Sequence, residues 1–109
     1  MDEKFYIYNK SAGSFELVMG EKVTIKHLPN FDFFIHLNNI QLNSKESWNV
    51  TESISGATVA VNYPSKKEAI AKAKANLEKI TREEFVDLVM DRILKYGISP
   101  RYVSKVMPW

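Results

Sequence analysis

Residues 48–80 read WNVTESISGATVAVNYPSKKEAIAKAKANLEKI, and the periodicity changes inside this stretch. Trp48-Asn49-Val50-Thr51-Glu52 and Ala57-Thr58-Val59-Ala60-Val61 are β-prone runs with alternating character, the pattern of paired, half-buried strands. Ser53-Ile54-Ser55-Gly56 joins them. Its glycine accepts the positive φ that a tight hairpin demands. After Pro64 the spacing becomes helical. Ser65 is a predicted N-cap with Glu68 three residues on, a capping-box pattern. Ile70, Ala73, Leu77 and Ile80 then recur at spacings of three and four, so one apolar stripe is expected. A hairpin running into an amphipathic helix places the break between a β-rich part, 1–63, and a helical part, 64–109.

Working toward the N-terminus, Phe5-Tyr6-Ile7-Tyr8 and Phe15-Glu16-Leu17-Val18-Met19 are β-prone runs separated by turn formers, and the second is expected to stop at Gly20. Lys22-Val23-Thr24-Ile25-Lys26 alternates as a further strand. Leu28-Pro29-Asn30 interrupts it, because proline cannot donate to a ladder, and residues 31–37 (FDFFIHL) resume. Residues 38–47 are polar and read as a long exposed connection.

Toward the C-terminus, Thr81-Arg82-Glu83-Glu84 is a second capping box, which separates the two helices. Phe85, Leu88, Val89, Ile93 and Tyr96 form the expected apolar stripe of the second helix, and Gly97 closes it. Ser99-Pro100 starts a short terminal helix over 101–107. Strands followed by helices define an α+β fold: an antiparallel sheet of about five or six strands packed by two C-terminal helices and a short terminal one.

Composition bounds the function. At 109 residues the chain suits one domain, 1–109. The absence of cysteine excludes disulfides, cysteine-ligated metals and a thiol nucleophile. No run reaches the ~20 apolar residues of a membrane span. The acidic, polar start MDEKFYIYNK is unlike a secretory signal, so a cytoplasmic location is expected. The net charge of +2 is unevenly spread: residues 1–64 carry five Lys against seven Asp/Glu, and residues 65–109 carry ten Lys/Arg against six Asp/Glu. Contact with any polyanion is therefore expected in the helical part.

Catalytic signals are sparse. His27 and His36 are the only histidines; a metal site would need a further ligand such as Asp32 or Glu21, and no ligand motif accompanies them. No nucleophile elbow, phosphate loop or H-E-x-x-H is present. The expectation is a protein that is not an enzyme, with no metal and no cofactor. The aromatics of the β part (Phe5, Tyr6, Tyr8, Phe15, Phe31, Phe33, Phe34 and Trp48) are read as core rather than as base-stacking platforms, because that part is net acidic.

Two resemblances bear on function. Residues 95–106 (KYGISPRYVSKV) resemble the turn and recognition helix of a helix-turn-helix, with Gly97, Ile98 and Ser99 in the turn and Val103 and Val106 as inner anchors. The resemblance implies that Arg101, Tyr102, Ser104 and Lys105 face outward toward DNA. It departs from the family at Ile93, where a small residue is usual, and at Arg92, which stands in a usually apolar place. Residues 48–80, with Trp48-x-Val50-Thr51-Glu52, Ser55-Gly56 and Ser65-x-x-Glu68-Ala69, are similar to hairpin-plus-helix proteins of phages and other mobile elements, and more loosely to HicB-type antitoxins. This likeness implies a small phage- or mobile-element-encoded protein that acts on a protein partner, an anti-CRISPR inhibitor being one concrete form. The alternative is a DNA-binding regulator or antitoxin that uses residues 97–106.

Overall fold

A computed structural model of the chain describes residues 2–37 and 46–102. Five strands, β1 (Glu3–Asn9), β2 (Ser14–Val23), β3 (Phe33–Leu37), β4 (Trp48–Glu52) and β5 (Thr58–Tyr63), form one antiparallel meander in sequence order. Two helices, α1 (Lys66–Leu77) and α2 (Arg82–Tyr96), and a 3-10 turn, Pro100–Tyr102, follow. The fold is α+β.

The strand count among the described residues is five because Gly20 does not end a strand. Residues 14–23 are one strand that pairs with β1 from Ser14 to Gly20 and with β3 from Glu21 to Val23. A Cβ at Gly20 would lie 2.8 Å from the Ile35 carbonyl oxygen and 3.0 Å from the Phe34 ring. The glycine thus marks where β2 passes against β3 too closely for any side chain. Thr24 to Lys26, expected to continue a strand, instead lead into two successive turns closed by Leu28 N donating to Ile25 O and Phe31 N donating to Leu28 O.

Both faces of β3 are covered. Phe33 and Ile35 join Val23, Val50, Ala60, Ala69, Ala73, Leu77, Phe85 and Val89 in the core beneath the helices. Phe34 points the other way and stacks on Phe5 of β1, with ring centroids 4.3 Å apart and planes 4° from parallel. The β1–β2 hairpin therefore supplies a second apolar layer. Phe5, Phe31, Phe33 and Phe34 are all buried, in keeping with a core role for these aromatics.

The expected hairpin and both N-caps form, with the cap bond at Ser65 and the reciprocal box at Thr81. Gly56 has φ +74°. Ser65 Oγ accepts from Glu68 N at 3.2 Å, and the full reciprocal box forms at Thr81, with both bonds to Glu84 at 3.1 Å. Gly97, at φ +90°, closes α2 by donating to Ile93 O. Two faces differ from expectation. Ala69, not Ile70, shares the buried line of α1 with Ala73 and Leu77, and Leu88 of α2 is 54% exposed. Small alanines let α1 lie close on the sheet, and Ile70 packs at its flank.

Candidate functional site

Of the residues expected to face DNA, Arg101 and Tyr102 lie among the described residues. After Gly97 the described chain makes a 3-10 turn, Pro100–Tyr102. Tyr102 is buried, and its hydroxyl donates to Asp32 Oδ2 at 2.6 Å. Arg101 donates to Lys4 O at 2.6 Å and to Glu3 Oε2 at 2.9 Å, with its guanidinium 4.3 Å from the Phe5 ring centre. Ser99 N donates to Ile54 O. The turn is drawn inward because a large aromatic gains from burial and its hydroxyl then needs a partner. Ser104 and Lys105 lie outside the described residues, as do residues 38–45 of the expected loop and 103–107 of the expected terminal helix.

This inward turn closes a polar cluster at one end of the sheet. Ser53 N donates to Asp32 O, and Lys22 pairs with Asp32 Oδ1 at 3.2 Å. Burial works to raise the Asp32 pKa, but the bonds from Tyr102 and Lys22 outweigh it and hold the carboxyl below its ordinary value. Beside it, Glu52 is fully buried on β4. Its carboxylate accepts from Ile54 N, from Ser55 N at 2.9 Å and from Ser55 Oγ at 2.6 Å. Burial pushes its pKa up. These groups tie the 53–56 turn and Tyr102 to Asp32; Glu52 is fully buried, while the Lys22 and Asp32 side chains remain partly exposed.

A measurable consequence follows for Tyr102. Burial first, then the bond to Asp32, push its pKa up to about 12. In the unfolded chain the phenol ionises near 10. The folded state keeps a proton that the unfolded state releases, so this stability is present below pH 10 and lost as pH rises toward 12. Tyr102→Phe is expected to cost about 1.5–3 kcal/mol at neutral pH, as for a bond to a charged group. It should also flatten the alkaline fall in melting temperature. An unchanged alkaline limb would contradict the assignment.

The histidines do not form a metal site. His27 Nε2 donates to Leu77 O at 2.8 Å at the end of α1. His36 is buried in β3. The Leu37 carbonyl can only accept, so Nδ1 carries the proton and Nε2 takes one from Thr51 Oγ1 at 2.8 Å. Burial lowers its pKa, consistent with a neutral ring. Among the described residues no group of three or more His, Cys, Asp or Glu is arranged to hold a metal. No described helix is long and apolar enough to cross a membrane.

The accessible site lies where β2 leaves β3. The β2–β3 pairing stops at Glu21↔Ile35, so the first part of β2 has only β1 as a strand neighbour among the described residues. The divergence opens a groove of about 320 Å³ lined by Leu17, Met19, Gly20, Leu37, Trp48 and Lys66, among others. Leu17 and Met19 are 52% and 51% exposed, large values for side chains of their size. At the groove's end the Lys66 ammonium donates to Glu21 Oε1 at 2.8 Å and lies 4.9 Å from the Trp48 ring centre. The bond to Lys66 lowers the Glu21 pKa, and the bond to Glu21 raises that of Lys66. The groove thus offers apolar walls, a strand edge and a fixed ion pair.

Sequence reasoning did not single out these residues. The one available signal was Phe15, Leu17 and Met19 alternating along one face of a strand. No protein-family model, no curated protein and no solved structure matches this chain.

Proposed function

We propose that the protein is a small, non-enzymatic binding protein that acts by covering a surface of a protein partner, with the groove beside β2 as its contact region. The observation that carries this reading is the pair of half-exposed apolar side chains, Leu17 and Met19, on a strand edge with no described strand beside it. An extended partner segment adding alongside β2 would gain main-chain hydrogen bonds from the edge and apolar contacts from the groove. A phage or mobile-element origin, a cytoplasmic site of action and an anti-defence role belong to the same proposal and rest on the likeness of residues 48–80. The DNA-binding alternative has less support, because Arg101 and Tyr102 spend their side chains on contacts within the fold.

Pull-down of purified host nuclease machinery, CRISPR nucleases first, by the wild type and by a Leu17→Asp/Met19→Asp variant tests the reading. Both side chains are half exposed, so the variant is expected to keep the wild-type far-UV spectrum and lose at least about tenfold in affinity, as for removal of a central apolar anchor. Equal capture by wild type and variant would exclude the groove. No complex with any such machinery would exclude the anti-defence form.

A further inference from the structure

The two strands of the β1–β2 hairpin are tied to the rest of the fold in different ways. β2 continues into it, because its pairing passes from β1 to β3 between Gly20 and Glu21. Among the described residues β1 has no strand on its other side, and apart from β2 the element it packs against most is the 3-10 turn, Pro100–Tyr102. That turn is fixed to the body on either side of Arg101. Ser99 N donates to Ile54 O at 2.9 Å, and the Tyr102 hydroxyl donates to Asp32 Oδ2 at 2.6 Å. Between these anchors the Arg101 guanidinium reaches β1 and donates to Lys4 O and Glu3 Oε2. Phe34 stacks on one face of the Phe5 ring, so Arg101, 4.3 Å from the ring centre, covers the other. One side chain thus holds an edge-strand carbonyl, a carboxylate and a buried ring. It does so level with the crossing point of β2, since Glu3 is the ladder partner of Gly20. At the hairpin's far end the Tyr8 ring rests against Tyr96, with centres 4.5 Å apart, and its backbone passes close to Gly56.

We propose that the 99–102 turn is a strap that fixes the angle of the β1–β2 hairpin, and through it the width of the groove beside β2. A hairpin joined to the body through one strand can turn about that strand. A second tie on the other strand, at the same level, stops the turn. Leu17 and Met19 form the hairpin's side of the groove, and Leu37, Trp48 and Lys66 the body's side, so releasing Arg101 moves one wall against the other. The strap acts on the groove whether or not a partner fills it, so its test is independent of the binding role.

Amide exchange and Trp48 emission test the strap, with Trp109→Phe as background so that Trp48 is the single tryptophan. Arg101→Met keeps an apolar stem beside Phe5 and removes the bonds to Lys4 O and Glu3. A two-stranded hairpin off its support is marginal in water, so exchange in residues 3–9 and 14–19 is expected to quicken by at least about tenfold, as for lost hydrogen bonds to a charged group, while β4 and α1 keep wild-type rates. Trp48 is expected to become more accessible to acrylamide. Glu3→Gln removes the ion pair alone and is expected to quicken the same amides by about two- to fivefold, the range for a partly exposed pair. Arg101→Lys, which keeps the charge and a donor, is expected to fall between the wild type and Arg101→Met. Unchanged hairpin exchange in Arg101→Met overturns the strap. So does quickening spread evenly over the whole sheet and both helices, which would make Arg101 a general support of the fold. Hairpin exchange that quickens with Trp48 unmoved overturns the link to the groove.

Discussion

Truncating Phe85 to alanine is expected to cost about 3–5 kcal/mol, the range for removing a large aromatic from a well-packed core. Phe85 and Val89 are the two fully buried side chains of α2. The Phe85 ring packs edge-on against Phe31, with centroids 4.9 Å apart at 84°, and lies 5.6 Å from Phe33. It therefore joins α2 both to the turn before β3 and to β3 itself. Val86 and Ile93 of α2 are only partly buried against the core, so the rest of the helix contributes less to the packing than this ring does. Against a total stability of about 5–15 kcal/mol for a small domain, the loss is a large fraction. Urea unfolding should show a marked drop in midpoint, and amide exchange in α2 should quicken more than in β3 or β4. A loss below about 1 kcal/mol, the typical cost of an average substitution, would mean that α2 is held by something other than this ring.

The same dependence on distant partners explains which features were legible in the sequence. The turn at Gly56, the N-caps at Ser65 and Thr81 and the stop at Gly97 follow from a few adjacent residues, and each forms. The order of strands then helices likewise follows from local periodicity. What local patterns did not show are features decided across the fold. Gly20 looks like any strand terminator until Ile35 O is placed 2.8 Å from where its Cβ would be. Ala69 is nearly silent in a hydrophobicity pattern, so the stripe of α1 was centred one residue late, on Ile70. Tyr102 is aimed by Asp32, seventy residues away in sequence. The groove exists because β2 changes partner midway, which alternation within one strand does not encode.

Glu52 is the sharpest case of a residue whose place its own sequence neighbourhood conceals, and its removal is the second large effect. As the last residue of β4 it reads as a solvated strand end, yet it is fully buried. Glu52→Ala removes the acceptor for Ile54 N, Ser55 N and Ser55 Oγ together, in a turn where water has little access. Orphaned buried donors cost about 1–3 kcal/mol each when unpaired, and partial relaxation of the turn brings the expected total to about 3–5 kcal/mol. The effect should depend on pH in a defined direction. Burial raises the folded-state pKa of Glu52 above its ordinary value, so between those two values the folded state binds a proton that the unfolded state has released. The stability linked to this group is therefore fully present below the ordinary carboxylate value and declines as pH rises through the folded one. The gap in unfolding free energy between wild type and Glu52→Ala should be widest in mild acid and narrow toward neutral pH. Taking the difference between the two proteins at each pH cancels, to first order, the opposing titrations of Asp32 and His36, whose lowered pKa values make acid destabilising. A gap that widens toward neutral pH would show that the carboxylate is favoured in its charged form, and the three hydrogen bonds would then outweigh burial.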